Sequence, residues 1–299
     1  VPVLTAMYID LGNISTHLKH QYLQHAIVPR PICFASTVNA KGEVNLSPFS
    51  FFNLFSTTPP IVIFSPSRRV RDNTVKHTLE NVLECPEVVI NMADYNMVQQ
   101  VSLTSCDYPR GVNEFVKGGF TPVKATMVRP PLVKESKISM ECRVIEVKSL
   151  GNSAGAGNLV ICEILCLHIS DSILDEGGMI SPLKFQSVSR LGGNWYSVVN
   201  SSNLFEVEKP DVNTGMGMDA LPEAIRHSPI LTGNQLAQLA GVPDYPDIDP
   251  TYNDKKLTDI FLYFSLIPEE MERELHSYAA QLLREGKVRE AWQVLLALP

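Results

Sequence analysis

The sequence contains no CxxC pair, no HExxH motif and no Walker glycine loop. The usual spacings of zinc sites are therefore missing, as is the commonest phosphate cradle. Basic charge is also short. With 25 Lys and Arg against 32 Asp and Glu, the formal net charge is −7, which argues against a generic nucleic-acid binder or a protein drawn to anionic membranes. No apolar run approaches the length of a membrane span, and the N-terminus lacks a basic-then-apolar signal pattern, so the simplest expectation is a cytoplasmic protein. Charged residues make up only 19% and apolar residues 44%, a composition that excludes intrinsic disorder. The six cysteines (Cys33, Cys85, Cys106, Cys142, Cys162 and Cys166) lie mostly in apolar stretches and read as reduced, buried thiols acting as small hydrophobes. His17, His20 and His25 have no carboxylate or cysteine partner nearby in sequence and read as surface residues.

Beta patterns dominate the first two thirds. ICFASTV (32–38), PIVIFS (60–65) and PEVVINM (86–92) have strand character, and Asn39-Ala40-Lys41-Gly42 supplies a hairpin turn after the first. A helix is expected over residues 74–83. Met140, Cys142 and Val144 alternate with Glu141 and Arg143 as in a half-buried strand. LVICEILCLHI (159–169) is continuously apolar and suggests a strand buried on both faces. Strands joined mainly by turns predict a closed or nearly closed β-barrel with helical additions. That domain is expected over residues 1–210, with a helical extension over 215–299 and the boundary in KPDVNTGM (209–216). In the extension, Met271, Leu275, Tyr278, Ala279 and Leu282 recur at helical spacing, and Pro268 suits a first turn. Helices are expected over 222–227, 233–240, 255–267, 269–284 and 287–298. Their apolar faces predict docking on the barrel, where they would restrict access to a site.

Three motifs fail their context tests. Gly151-Asn152-Ser153-Ala154-Gly155 matches a hydrolase GxSxG, but that elbow needs a following helix and here a strand follows. Gly215-Met216-Gly217 lacks the preceding strand and third glycine of a dinucleotide fingerprint. LTGNQLAQLAGV (231–242) looks like half a helix-turn-helix, but no basic recognition helix follows it.

Residues 65–81, SPSRRVRDNTVKHTLEN, are more informative. Ser65, Ser67 and Thr78 with Arg68, Arg69, Arg71 and Lys76 surround a helix start, a combination that suits a phosphate. Upstream, Ser36, Thr37, Asn45, Ser47, Ser50 and Asn53 offer donors and acceptors to a heteroaromatic rim, while Phe49 and Phe52 can pack around the ring. A ring linked to a phosphate describes FMN and pyridoxal phosphate equally.

IVPRPICFASTVNAKGEVNLSPFSFFN resembles the N-terminal signature of the flavin reductase-like family with the FMN-binding split barrel. Its Pro29-Arg30-Pro31-Ile32, Ser36-Thr37, Gly42 and Asn45-Leu46-Ser47-Pro48-Phe49-Ser50-Phe51-Phe52 occupy the signature positions. Lys76-His77-Thr78-Leu79-Glu80-Asn81 matches a later family element with His in place of Asp, leaving Lys76, Thr78 and Asn81 in register. TSCDYPRGVNEFVKGGFTP, AGAGNLVICEI and SRLGGNWY resemble further elements in the same order, so the resemblance covers roughly residues 20–205. It implies a homodimeric split barrel with FMN at the subunit interface, reduced by NADH or NADPH. It also places a histidine near the flavin at His168, which makes that residue the catalytic candidate, although a lone strand histidine is commonly structural. Arg190, Trp195 and Tyr196 are expected either to cover the flavin or to close the core. The function this implies is an FMN-binding NAD(P)H oxidoreductase with an unnamed acceptor. The alternatives are an FMN electron carrier and a flavin-binding interaction module.

Overall fold

A computed structural model of the chain describes residues 6–207, 214–249, 251–252 and 254–297. Contacts divide it into two units, Val1–Leu204 and Phe205–Pro299. The boundary expected at 209–216 falls largely outside the described residues, as does Leu298 at the end of the last expected helix.

The first unit contains the strands β1 (Arg30–Pro31), β2 (Cys33–Val38), β3 (Val44–Phe49), β4 (Phe52–Thr57), β5 (Pro60–Phe64), β6 (Glu87–Met92), β7 (Pro122–Val123), β8 (Leu132–Val133), β9 (Ile138–Ser149), β10 (Asn158–Ile169), β11 (Val188–Arg190) and β12 (Tyr196–Val198). Seven of these form one antiparallel sheet in the order β3-β2-β6-β9-β10-β5-β4. The two edge strands are neighbours in sequence, because β3 ends at Phe49 and β4 begins at Phe52. In a flat sheet those edges would lie about 29 Å apart at the usual strand spacing. A link of two residues reaches only roughly 10 Å. The sheet is therefore rolled until its edges meet at that link, which gives a barrel split between β3 and β4.

The β2–β3 hairpin turns where the sequence predicts. Asn39 Oδ1 accepts from the Lys41 and Glu43 amides at 2.9 and 3.0 Å, and Gly42 takes the left-handed conformation at φ 83°. Inward side chains of the barrel, among them Phe49, Phe64, Val88, Ile90 and Val160, pack with Leu79 and Val82 of the helix α2 (His77–Glu84). That helix starts later than expected, because Thr74 is held outside it by its bonds to Asp72. On the other face of β2 and β3, Phe34 and Leu46 meet Val101 of α3 (Val98–Leu103) and Phe115 of α4 (Glu114–Gly118).

Two expectations need correction. The strand β10 is not buried on both faces. Buried and half-exposed positions alternate from Asn158 to Glu163, as in an antiparallel barrel strand with one inner and one outer face, and no residue from Ile164 to Ile169 is buried. The cysteines also divide. Cys33, Cys142 and Cys162 face the barrel interior, where burial pushes all three thiols up, Cys142 to about 12. Cys85 is buried as well, but Cys106 is exposed and Cys166 half-buried. The sequence reading also missed α1 (Thr16–Ala26), a helix with no buried residue and hence no apolar stripe to announce it.

The short helix α5 (Pro182–Phe185) is the last of the first unit, and in the second α6 (Glu223–Arg226), α7 (Gly233–Ala240), α8 (Lys255–Phe264), α9 (Pro268–Arg284) and α10 (Val288–Leu296) follow the expected segments. Thr232 and Gln235 form a reciprocal capping box at the start of α7. Met271, Leu275, Leu282 and Leu283 do not depend on the barrel for burial. They belong to a core drawn wholly from this unit and centred on Trp292, whose indole N–H donates to the Leu239 carbonyl at 3.2 Å. Among the described residues, no helix is long and apolar enough to cross a membrane.

Candidate functional site

A cleft of about 460 Å³ opens where β3 ends, beside the segment after β5 and the start of α2. Its walls bring together Asn45, Ser47, Pro48, Phe49 and Ser50 with Ser65, Ser67, Arg68 and Lys76, residues that lie apart in sequence. Phe51, Arg69, Val70, Arg71, His77, Ser105–Tyr108, Glu114 and Gly155 complete it, with His20 and Gln24 from α1. His20 and Gln24 stand one helical turn apart and bond side chain to side chain at 3.0 Å. Burial, aided by the charges of His17 and Arg30, lowers the His20 pKa.

The polar residues of the signature then separate into two groups. One group is committed to the protein itself. Thr78 Oγ1 donates to Asn45 Oδ1 at 2.6 Å, and Asn45 Nδ2 donates to the buried Glu114 carboxylate at 2.9 Å. Glu114 also accepts from the Leu46 amide at 3.0 Å, yet burial still pushes its carboxyl up. Asn81 Nδ2 donates to Thr37 Oγ1 at 3.1 Å, and Ser36 donates to the Pro131 carbonyl. Arg30 is buried, and its guanidinium donates to the carbonyls of Gln24, Ile27 and Leu191 and to Ser50 Oγ. These bonds tie α1, α2 and α4 to the strands, as buried polar groups require. Arg30, Ser36, Thr37, Thr78 and Asn81 therefore frame the cleft without lining it.

The second group faces open space. The hydroxyls of Ser47 and Ser67 have no hydrogen-bond partner among the described residues and line the cleft. At the cationic end, Arg68 is fixed by Asn73, with Nε donating to its Oδ1 and Nη2 to its carbonyl, both at 2.7 Å. Arg69 Nη1 donates to Thr74 Oγ1 at 2.9 Å and to the Val75 carbonyl at 2.5 Å. Asp107 reaches in from the loop between α3 and α4. Its Oδ1 lies 3.0 Å from Arg69 Nε and 3.4 Å from Lys76 Nζ, and its Oδ2 lies 3.1 Å from Arg71 Nη2. Burial works to raise its carboxyl, but the hydrogen bonds and charges of Arg69 and Lys76 hold it below the ordinary range. Asp107 carried no signal of its own in the sequence beyond lying in TSCDYPRGVNEF.

A second hollow of about 650 Å³ shares Pro48, Phe49 and Ser50 with the first. Tyr95, Val98 and Val188 line it, together with Arg190, whose guanidinium lies 4.6 Å from the centre of the Tyr196 ring. Trp195 lies outside both linings and is 73% exposed. Asn53 is on the edge strand β4, exposed and outside both linings, and its Oδ1 accepts from the Leu54 amide at 2.8 Å. Phe52 packs against the barrel core instead of the cleft.

His168 also lies elsewhere. Its Nε2 sits 2.7 Å from Oε1 of Glu141 and 3.7 Å from Cys166 Sγ. The buried Glu141 carboxylate accepts from the amides of Thr126, Met127 and Val128. Burial works to raise its carboxyl, but these bonds and that of His168 lower it overall. The arrangement pins the 126–128 loop to β9.

Comparison with known proteins identifies the family and the fold. The family model described as flavin reductase like domain matches residues 25–188. An uncharacterised protein of Aquifex aeolicus is 37% identical over 170 residues, covering 57% of this chain and 84% of that protein. An uncharacterised protein of Halalkalibacterium halodurans is 31% identical over 209 residues, covering 69% of this chain and 98% of its own length. Nitrilotriacetate monooxygenase component B from Bacillus cereus has a similar solved structure, with a TM-score of 0.63 at 26% identity over 68% of this chain and 98% of that one.

Proposed function

This chain belongs to the flavin reductase-like family, and from that we propose that it is an FMN-dependent oxidoreductase taking hydride from NADH or NADPH and passing electrons to a separate acceptor. The observation that carries the reading is one cleft holding phenylalanines and free hydroxyls near Phe49 and four cationic side chains near Lys76. That donor set fits a flat ring with a polar edge, joined to a phosphate. Bound there, FMN would supply the two-electron redox chemistry that no side chain of the protein can provide.

The residues themselves have binding and orienting roles. Phe51 offers exposed apolar surface to the ring, and the Ser47 hydroxyl can donate to its polar edge. The Ser67 hydroxyl can donate to phosphate oxygens, Arg71 and Lys76 can reach them by exchanging exposed ion pairs, and Arg68 and Arg69 add fixed positive charge. The second hollow suits a nicotinamide donor. Tyr95, Tyr196 and Val188 supply flat and apolar contacts, and Arg190 supplies a cation for a dinucleotide phosphate. Its shared wall, Pro48–Ser50, would bring the two ligands side by side, which is what hydride transfer requires.

A homodimer completes the proposal. Leu54 and Phe55 on the edge strand β4 are 54% and 63% exposed, an apolar edge that a second copy would cover. The decisive experiment is an absorbance spectrum of the protein reconstituted with FMN, followed by anaerobic titration with NADH and NADPH. Bleaching of the visible flavin absorption band on addition of either nucleotide is expected, since the cofactor carries the hydride chemistry. A bound flavin that neither nucleotide bleaches would instead make the protein a carrier reduced by another protein.

A further inference from the structure

The cations proposed to receive phosphate already hold an anion. Asp107 touches Arg69, Arg71 and Lys76 at 3.0, 3.1 and 3.4 Å, using both carboxylate oxygens. Phosphate oxygens bridging the same three groups would need the same positions.

Asp107 is not needed to hold most of these cations in place. Arg69 is fixed independently by Thr74 and the Val75 carbonyl, and Arg71 also pairs with Asp72 at 3.2 Å. Among the described residues, Lys76 Nζ pairs with Asp107 alone, and its flexible stem can turn. Asp107 itself sits in the short connection between α3 and α4 with 40% of its side chain exposed, so rotation outward returns the carboxylate to water. Exposed ion pairs of this kind contribute little net free energy each, so exchanging them is easy.

We propose that Asp107 is an internal competitor for phosphate, which occupies the cations of the empty cleft and turns out when a phosphate monoester enters. This deepens the FMN reading and rests on it. Its consequence is that the flavin exchanges with solution instead of remaining as a permanent prosthetic group.

The test compares FMN, riboflavin and inorganic phosphate on the full chain. Asp107→Asn should tighten FMN about tenfold, the scale of removing one like charge beside a partly screened site, while riboflavin affinity stays unchanged. Asp107→Ser should do the same, and Asp107→Glu, which keeps the charge, should remain near wild type. Inorganic phosphate should displace FMN from Asp107→Asn at lower concentration relative to its effect on wild type once each is normalised to its FMN affinity. Unchanged or weaker FMN binding in both neutral variants, each with an intact thermal transition, overturns the inference and makes Asp107 a residue that orients the cations. If wild type binds FMN and riboflavin equally, the phosphate assignment fails first and takes this inference with it.

Discussion

The frame of the cleft and its rim are built from the same residue types, yet they serve opposite purposes. In the frame, Thr78, Asn45 and Glu114 bond to one another, as do Asn81 and Thr37. On the rim, Ser47, Ser67 and Lys76 face open space or a single exchangeable partner. The contrast teaches that a polar signature in a sequence can encode architecture and recognition in alternate positions. A substitution in the frame should cost stability and leave ligand preference alone. A substitution on the rim should do the reverse.

The largest effect is expected outside the cleft, at the buried Glu141 carboxylate, which serves architecture as the frame does. Glu141→Gln should destabilise the barrel unit by about 3 kcal/mol at neutral pH, because it sets an amide N–H₂ against backbone donors. The folded carboxyl titrates below its unfolded value, so its contribution is whole above about pH 4.3 and drains away as pH falls through the folded pKa. Denaturant melts of wild type and variant should therefore draw together as the pH is taken below the unfolded value. A gap that does not narrow at all on acidification would show that packing, and not charge, sets the cost.

Asn45→Ala comes next, at about 2 kcal/mol, since it strands Thr78 and one oxygen of Glu114. The ratio of FMN to riboflavin affinity should stay at its wild-type value. A changed ratio would move Asn45 from the frame to the rim. Lys76→Ala should leave the melting temperature nearly alone and weaken FMN about tenfold against riboflavin, as loss of one charge-assisted phosphate contact predicts. Equal losses for both ligands would erase the distinction. The smallest effect is expected for Ser67→Ala, with FMN weakened about three- to fivefold, the scale of one neutral hydrogen bond.

Much of the architecture was legible in the sequence because it depends on local periodicity. The alternation of Met140, Cys142 and Val144, the Asn39–Gly42 turn and the stripe from Met271 to Leu282 each report their own element. The site was legible in outline, since Asn45 and Ser47–Ser50 share one cleft with Ser65, Ser67, Arg68 and Lys76. What could not be read was the assignment of each hydroxyl and amide. Asn45 belongs to the frame because Glu114, 69 residues away, reaches it, and no local pattern encodes that partner. His20 was hidden for a similar reason, because α1 lies at the cleft without burying any residue. Asp107 was hidden because a lone aspartate in a loop signals nothing until three cations converge on it.

The two-residue link between β3 and β4 also has a consequence for the order in which the chain folds. Closing a barrel ordinarily requires its first and last strands to find each other across a long loop, at a cost in chain entropy that grows with loop length. Here the meeting edges are joined covalently by Ser50 and Phe51, so that search is nearly absent. The slow, non-local step is then expected to be the insertion of β6 and the long β9–β10 hairpin between β2 and β5, which lie at most 31 residues apart from Cys33 to Phe64. The topology therefore predicts that β2 to β5 assemble before β6 and the β9–β10 hairpin join them, an order that φ-values in β4 and β9 would check.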